Sequence, residues 1–137
     1  MTIDRELFRT GIPLIDHQHD QYLDLVDELF VLCLRPKARS SSVQAGLKRT
    51  LAYALDHFDA EEALMRSVAF RGYEKHRLKH DEFRDESDRL LVMCKQDLSP
   101  ELQLTRLTRW LVEWFCEQTQ VYDRALAAYL KKRKSRG

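Results

Sequence analysis

Two pairs of side chains, each four residues apart, constrain this chain most: His57 with Glu61, and His76 with His80. On a helix, four residues turn through about 400°, so each pair projects from one face, one turn apart. The stretch that carries them, HFDAEEALMRSVAFRGYEKHRLKH, is broken once, at Arg71-Gly72. A His/Glu pair and a His/His pair on neighbouring helices look like metal ligands. The rest of the chain must supply further ligands and a dry enclosure.

The surrounding sequence predicts helices to build that enclosure. Its 137 residues include only four Gly and three Pro, with no alternating Val/Ile/Thr-rich run. That pattern predicts one all-α domain over 1–137. Residues 1–15 read as a non-helical arm marked by Gly11 and Pro13, and Asp16 reads as an N-cap. A first helix over 17–34 has the apolar stripe Tyr22, Leu23, Val26, Leu29, Phe30 and Cys33, with His19 on it and His17 off it. Arg35-Pro36 stops it, and 36–42 is a loop.

A second helix over 43–67 places Val43, Leu47, Leu51, Ala54, His57, Phe58, Glu61, Leu64 and Met65 in one phase. Asp59 and Glu62 fall outside it and are expected to be solvated. A third helix over 73–96 aligns Tyr73, His76, His80, Phe83, Ser87, Leu90, Leu91 and Cys94. Ser99 and Pro100 suit the N-cap and first position of a fourth helix. Its stripe is Leu104, Leu107, Leu111, Trp114 and Gln118. The phase then slips by one residue, to Asp123, Leu126, Ala127 and Leu130. A π-turn between Gln118 and Asp123 would put both on one face. The tail 131–137, KKRKSRG, reads as a frayed, solubilising end. Four long helices and short loops predict an antiparallel up-down-up-down four-helix bundle.

Composition narrows the functional classes. A net charge of +1 points to neither nucleic acid nor a membrane surface. No apolar run approaches the roughly 20 residues that span a bilayer. The N-terminus, MTIDRELFRTGIP, carries charges where a signal peptide needs an apolar region. Cys33, Cys94 and Cys116 are widely spaced and form no CxxC. They read as reduced residues of a cytoplasmic protein.

Four of the five histidines fall in the buried phase of three helices, together with Glu61. Burying so many polar groups without a common partner is destabilising, and a metal centre is the simplest such partner. The set contains no thiolate and has too many ligands for one closed tetrahedral zinc. Imidazoles with two carboxylates able to bridge suit a pair of iron ions. HExxH and paired Glu-x-x-His motifs are both absent.

The segments IDHQHDQYLDLV (15–26), HFDAEEALM (57–65), HRLKHDEF (76–83) and WFCEQTQVYD (114–123) together resemble the hemerythrins, most closely the single-domain bacterial kind. The resemblance implies an oxo- or hydroxo-bridged di-iron centre that binds O2. It assigns His19 and His57 to one iron, His76 and His80 to the other, and Glu61 and Asp123 to bridges. Trp114 matches a tryptophan beside the site. Thr119, Tyr22, Tyr73 and Tyr122 are candidates to surround the ligands. Where the family motif has a fourth-helix histidine followed by an apolar residue, this chain has Gln118 and Thr119.

Gln118 could bind iron weakly through its amide oxygen, leave a position to water, or weaken the second site so that one metal binds. His17, about 200° round the helix from His19, is poorly placed to substitute.

Three functional classes follow. The first is a protein that binds O2 for carriage, storage or sensing and holds it only briefly. The second is a di-iron enzyme of peroxidase or oxidase type. The third is a metal-handling or interaction bundle with a degenerate site. Expected partners are O2, peroxide or azide-like anions, and the chain is expected to be a monomer or weak homo-oligomer.

Overall fold

The computed structural model describes residues 3–35, 40–95 and 100–136, and among them there is no strand. A 3₁₀ turn, Arg5–Phe8, precedes α1 (Pro13–Leu34), α2 (Ser40–Ser67), α3 (Tyr73–Lys95) and α4 (Pro100–Gln118). A π-turn, Thr119–Asp123, joins α4 directly to α5 (Arg124–Arg136), so the fourth rod of the bundle is continuous. Helix α1 packs against α2 and α4, and α3 packs against both as well. Each helix therefore neighbours the one before and after it. The fold is the antiparallel four-helix bundle that the spacing of apolar residues predicts.

Several boundaries differ from expectation. Helix α1 starts at Pro13, whose fixed φ suits a first turn, and Ile12 is its N-cap. Asp16 lies inside the helix. Its carboxylate accepts from the Thr10 backbone N–H (2.7 Å), the Thr10 hydroxyl (2.8 Å) and the Gly11 N–H (3.1 Å). It thus ties the arm to α1 rather than capping the helix. Gly11, at φ 83, makes the reversal between them.

The arm is held from the far end of the chain too. Arg124 donates to the Arg9 carbonyl (3.1 Å) and Lys131 Nζ to the Thr10 carbonyl (2.9 Å). The basic tail is therefore helical to Arg136 and anchored, not frayed. Between α2 and α3 the left-handed residue is Ala69, at φ 51. Phe70 N–H reaches the Met65 carbonyl and Ala69 N–H the Arg66 carbonyl, closing α2 with a Schellman-type cap. The expected N-cap Ser99, most of the 36–42 loop and Gly137 lie outside the described residues.

Two apolar clusters divide the interior. The larger contains Phe8, Tyr22, Leu23, Phe58, Phe83 and Phe115, and it continues along the bundle to Cys33 and Cys94. The smaller contains Ile15, Met65 and Leu126, with Tyr73 and Leu130 packed on it. Most of the buried histidines and carboxylates fall between the two, while His57 lies one residue before Phe58 at the edge of the larger cluster. His19 follows Ile15 and precedes Tyr22. Glu61 sits between Phe58 and Met65, and His76 and His80 between Tyr73 and Phe83. Gln118 and Asp123 lie between Phe115 and Leu126. The bundle thus gathers its buried histidines and carboxylates in one layer, with apolar clusters on either side.

Candidate metal centre

All six expected ligands are buried in that layer. His19, His80 and Asp123 are 0 % exposed, His76 1 %, and His57 and Glu61 3 % each. The helical pairs place His57 with Glu61 and His76 with His80. The π-turn restores Asp123 to the interior after the phase slip at Gln118, by adding one residue to a turn.

Two groups of four side chains result, each able to hold a metal ion: His19, His57, Glu61 and Asp123; and Glu61, His76, His80 and Asp123. The ligand atoms of each group lie within 4.8 Å of one another. Both groups share the two carboxylates, and the carboxylates divide their oxygens between them. Glu61 turns Oε2 toward His57 Nε2 (3.4 Å) and Oε1 toward His76 (2.5 Å) and His80 (3.2 Å). Asp123 turns Oδ2 toward His19 Nε2 (2.9 Å) and Oδ1 toward His76 Nε2 (3.0 Å).

These atoms crowd together without hydrogen bonding. The Nε2 atoms of all four histidines and all four carboxylate oxygens are buried and lack a hydrogen-bond partner. Such orphaned atoms are rare in a folded core unless something else satisfies them. Each of the two groups therefore offers unsatisfied donor atoms that a cation would satisfy.

The outward nitrogens show how the rings are held. His19 Nδ1 donates to the Phe8 carbonyl at 2.8 Å, His57 Nδ1 to Gln18 Oε1 at 2.6 Å, and His80 Nδ1 to Glu62 Oε2 at 2.8 Å. Each acceptor fixes the tautomer that leaves the Nε2 lone pair facing inward. Glu62 is in turn held by Arg84 at 2.5 Å. Glu62 is therefore not solvated as its position off the stripe suggests, being only 7 % exposed. The glutamate's length carries its carboxylate sideways to α3. His76 Nδ1 is the exception, buried with no partner.

Electrostatics follow from this crowding. Burial alone would lower the His76 pKa, but the Asp123 and Glu61 carboxylates close to its Nε2 raise it to about 9. Burial likewise opposes protonation of His19, and Asp123 again outweighs it, so that pKa rises. For His57 burial wins and the pKa falls. Burial works against the charged form of Glu61, yet the histidines hold its carboxyl well below the usual range. Glu61 thus sits among groups that favour the anion a cation needs.

The remaining candidates are placed around these ligands. Phe58 stacks on His80 with ring centroids 4.1 Å apart, and Trp114 packs on Phe58. Phe115 lies edge-on to His19 and stacks on Tyr22, so Tyr22 is one ring removed from the ligands. Tyr22 donates its hydroxyl to the Leu111 carbonyl rather than toward the centre. Tyr73 also turns away, its hydroxyl accepting from Arg66. Thr119 is buried and donates to the Phe115 carbonyl, so its polarity is spent on the backbone. Tyr122 lies beside a candidate ligand, its ring centroid 5.8 Å from that of His76.

Gln118 is 2 % exposed, and its Nε2 has no hydrogen-bond partner. His17 is exposed. Cys116 is half-buried and takes a contact from Gln120, away from the ligands.

Fold and site together define a class: a four-helix bundle with a buried layer able to bind cations. Residues 10–126 match the model of the hemerythrin HHE cation binding domain, and the chain belongs to the hemerythrin family. A solved structure described as a crystal structure of wild-type hemerythrin superposes with a TM-score of 0.79 over 93 % of this chain and 95 % of that one, at 20 % identity. At that identity the likeness concerns the fold. No curated protein matches the chain in sequence. No described helix is long and apolar enough to cross a membrane.

Proposed function

We propose that this chain holds two iron ions in its buried layer and binds O2 there, holding it only briefly. One observation carries the reading: Glu61 and Asp123 belong to both four-residue groups and turn one oxygen toward each. That is the arrangement two bridged ions require. His19 and His57 would hold one ion, and His76 and His80 the other. The donor set of imidazole and carboxylate suits iron. A pair of ferrous ions supplies a binding position and two electrons for O2.

The chain's own residues decide how long O2 stays. The apolar layers above and below exclude water from most of the site. The weak point is Gln118, which replaces an imidazole with an amide, a poorer donor to iron. A position left open beside a polar side chain admits water and protons, and both shorten the life of bound O2. This also supports a second reading, a peroxidase- or oxidase-like activity, because an exchangeable position can take peroxide.

Stopped-flow mixing of the di-ferrous protein with O2 tests the reading. The expected absorption band decays within seconds to minutes, and Gln118→His lengthens its life at least ten-fold by the loss of one exchangeable position (about 1.4 kcal/mol). A wild-type band stable for hours contradicts the proposal. No effect of Gln118→His would mean that Gln118 does not face the metal.

A further inference from the structure

We propose that the small cavity beside Gln118 is a charge-selective inlet. It admits neutral, O2-sized molecules to the second metal position and holds off small anions. The inference rests on the two-iron reading for what lies at its inner end.

The cavity has a volume of about 60 Å³ and is lined by Lys79, Glu82, Trp114, Glu117, Gln118 and Tyr122. That is room for a few waters or one small molecule. Its outer side carries Glu82 and Glu117, both exposed. Its inner side is Gln118, buried, and Tyr122, whose ring touches His76. Larger surface grooves exist, but that formed by Asp27, Val31, Leu32 and Arg49 lies further along α1 from His19 and touches no residue of the polar layer. The cavity beside Gln118 therefore runs from exposed carboxylates to Gln118 and Tyr122, the neighbours of the second group of candidate ligands.

Two features set what it takes. Gln118 Nε2 is a buried donor without an acceptor. A donor in that state is costly to leave unmade, so it favours a guest that can accept a hydrogen bond. The charge of the lining then selects among such guests. Lys79 Nζ pairs with Glu82 at 3.3 Å, and Glu117 adds a second carboxylate. One cation against two carboxylates leaves a net charge of −1 on the lining residues. O2 and hydrogen peroxide meet no barrier from that charge, whereas azide and other monoanions do. Gln118 is thus a docking residue for the guest as well as a change in the metal's surroundings.

The test is azide binding to the iron-loaded, oxidised protein, followed by its absorption band, with iron counted in the same samples. Neutralising both carboxylates, Glu82→Gln with Glu117→Gln, removes two negative charges that line the cavity, and at low salt the azide on-rate should rise about five-fold. The wild-type on-rate should rise with added salt, as repulsion is screened. The rate of reaction with hydrogen peroxide should change less than two-fold in the same variant. Gln118→Leu, which keeps the volume and removes the donor, should raise the azide off-rate about ten-fold.

Two irons per chain with an unchanged azide on-rate, or with azide and peroxide rates shifting alike, would overturn the inlet and leave the two-iron reading standing. An unchanged off-rate in Gln118→Leu would remove Gln118 as the docking residue. Fewer than two irons per chain would bring down both proposals.

Discussion

On the two-iron proposal, replacing Glu62 with alanine should weaken one metal position and leave the other alone. Glu62 touches no metal-facing atom. It accepts the Nδ1 proton of His80 at 2.8 Å, in a buried, charge-assisted hydrogen bond. Such a bond is worth about 1.5–3 kcal/mol. Its loss frees the His80 ring to rotate and to change tautomer, while Arg84 keeps Asp59 and Asp81 as partners. At about 1.4 kcal/mol per ten-fold, the expected weakening is about 10- to 100-fold, the range typical for groups that orient metal ligands.

The mirror experiment is Gln18→Ala, which removes the acceptor for His57 Nδ1 at 2.6 Å and belongs to the other group of ligands. A competition titration with a chromophoric chelator resolves the two binding steps. Glu62→Ala should shift one step and Gln18→Ala the other. The double variant should shift both by the sum, since the two contacts share no partner. If both variants shift the same step, or either shifts both equally, the division of ligands into two groups is wrong.

Two further outcomes follow from particular residues. Loading the metal-free protein with ferrous iron at pH 7.5 should release protons, because His76 in that state titrates at about 9 and His19 is also raised. The folded metal-free protein binds that His76 proton more tightly than the unfolded chain does. Its contribution to stability is therefore present below pH 6.5 and lost as pH rises through 9. His57 runs the other way, costing stability as pH falls below its ordinary 6.5. A pH-stat and chemical denaturation of the metal-free protein at pH 6.5 and 9 check these signs. Ala69→Gly should stabilise the fold by about 1 kcal/mol, since glycine adopts φ 51 without the clash alanine suffers. A rise of a few degrees in Tm, about 2–6 °C, is expected for a chain of this size, and a fall would show that another force holds the turn.

Much of this molecule was legible in its sequence, for identifiable reasons. Helical period is read directly from apolar spacing, so the four rods and the inward phase of His19, His57, Glu61, His76 and His80 could be placed. The slip of one residue after Gln118 had only one economical explanation, and the π-turn over Thr119–Asp123 is there. What stayed hidden were the groups that hold the rings. The acceptor for His19 is the backbone carbonyl of Phe8, which no residue type advertises. Gln18 and Glu62 sit beside ligand-bearing positions but off the stripe, and phase counting ignores how far a long side chain reaches sideways. The rule that a ligating histidine donates its second nitrogen could have flagged Glu62, the spare carboxylate next to Glu61. The arm departs from expectation because Asp16 looks like an N-cap by type, and only the fold shows Thr10 and Gly11 gathered on its carboxylate.

The account turns on Glu61 and Asp123 serving two ions at once. Native mass spectrometry of the protein titrated anaerobically with ferrous iron tests that most directly. The account predicts saturation at two irons per chain, and loss of both in Glu61→Ala. Saturation at one iron, or a Glu61→Ala variant that keeps two, would contradict it.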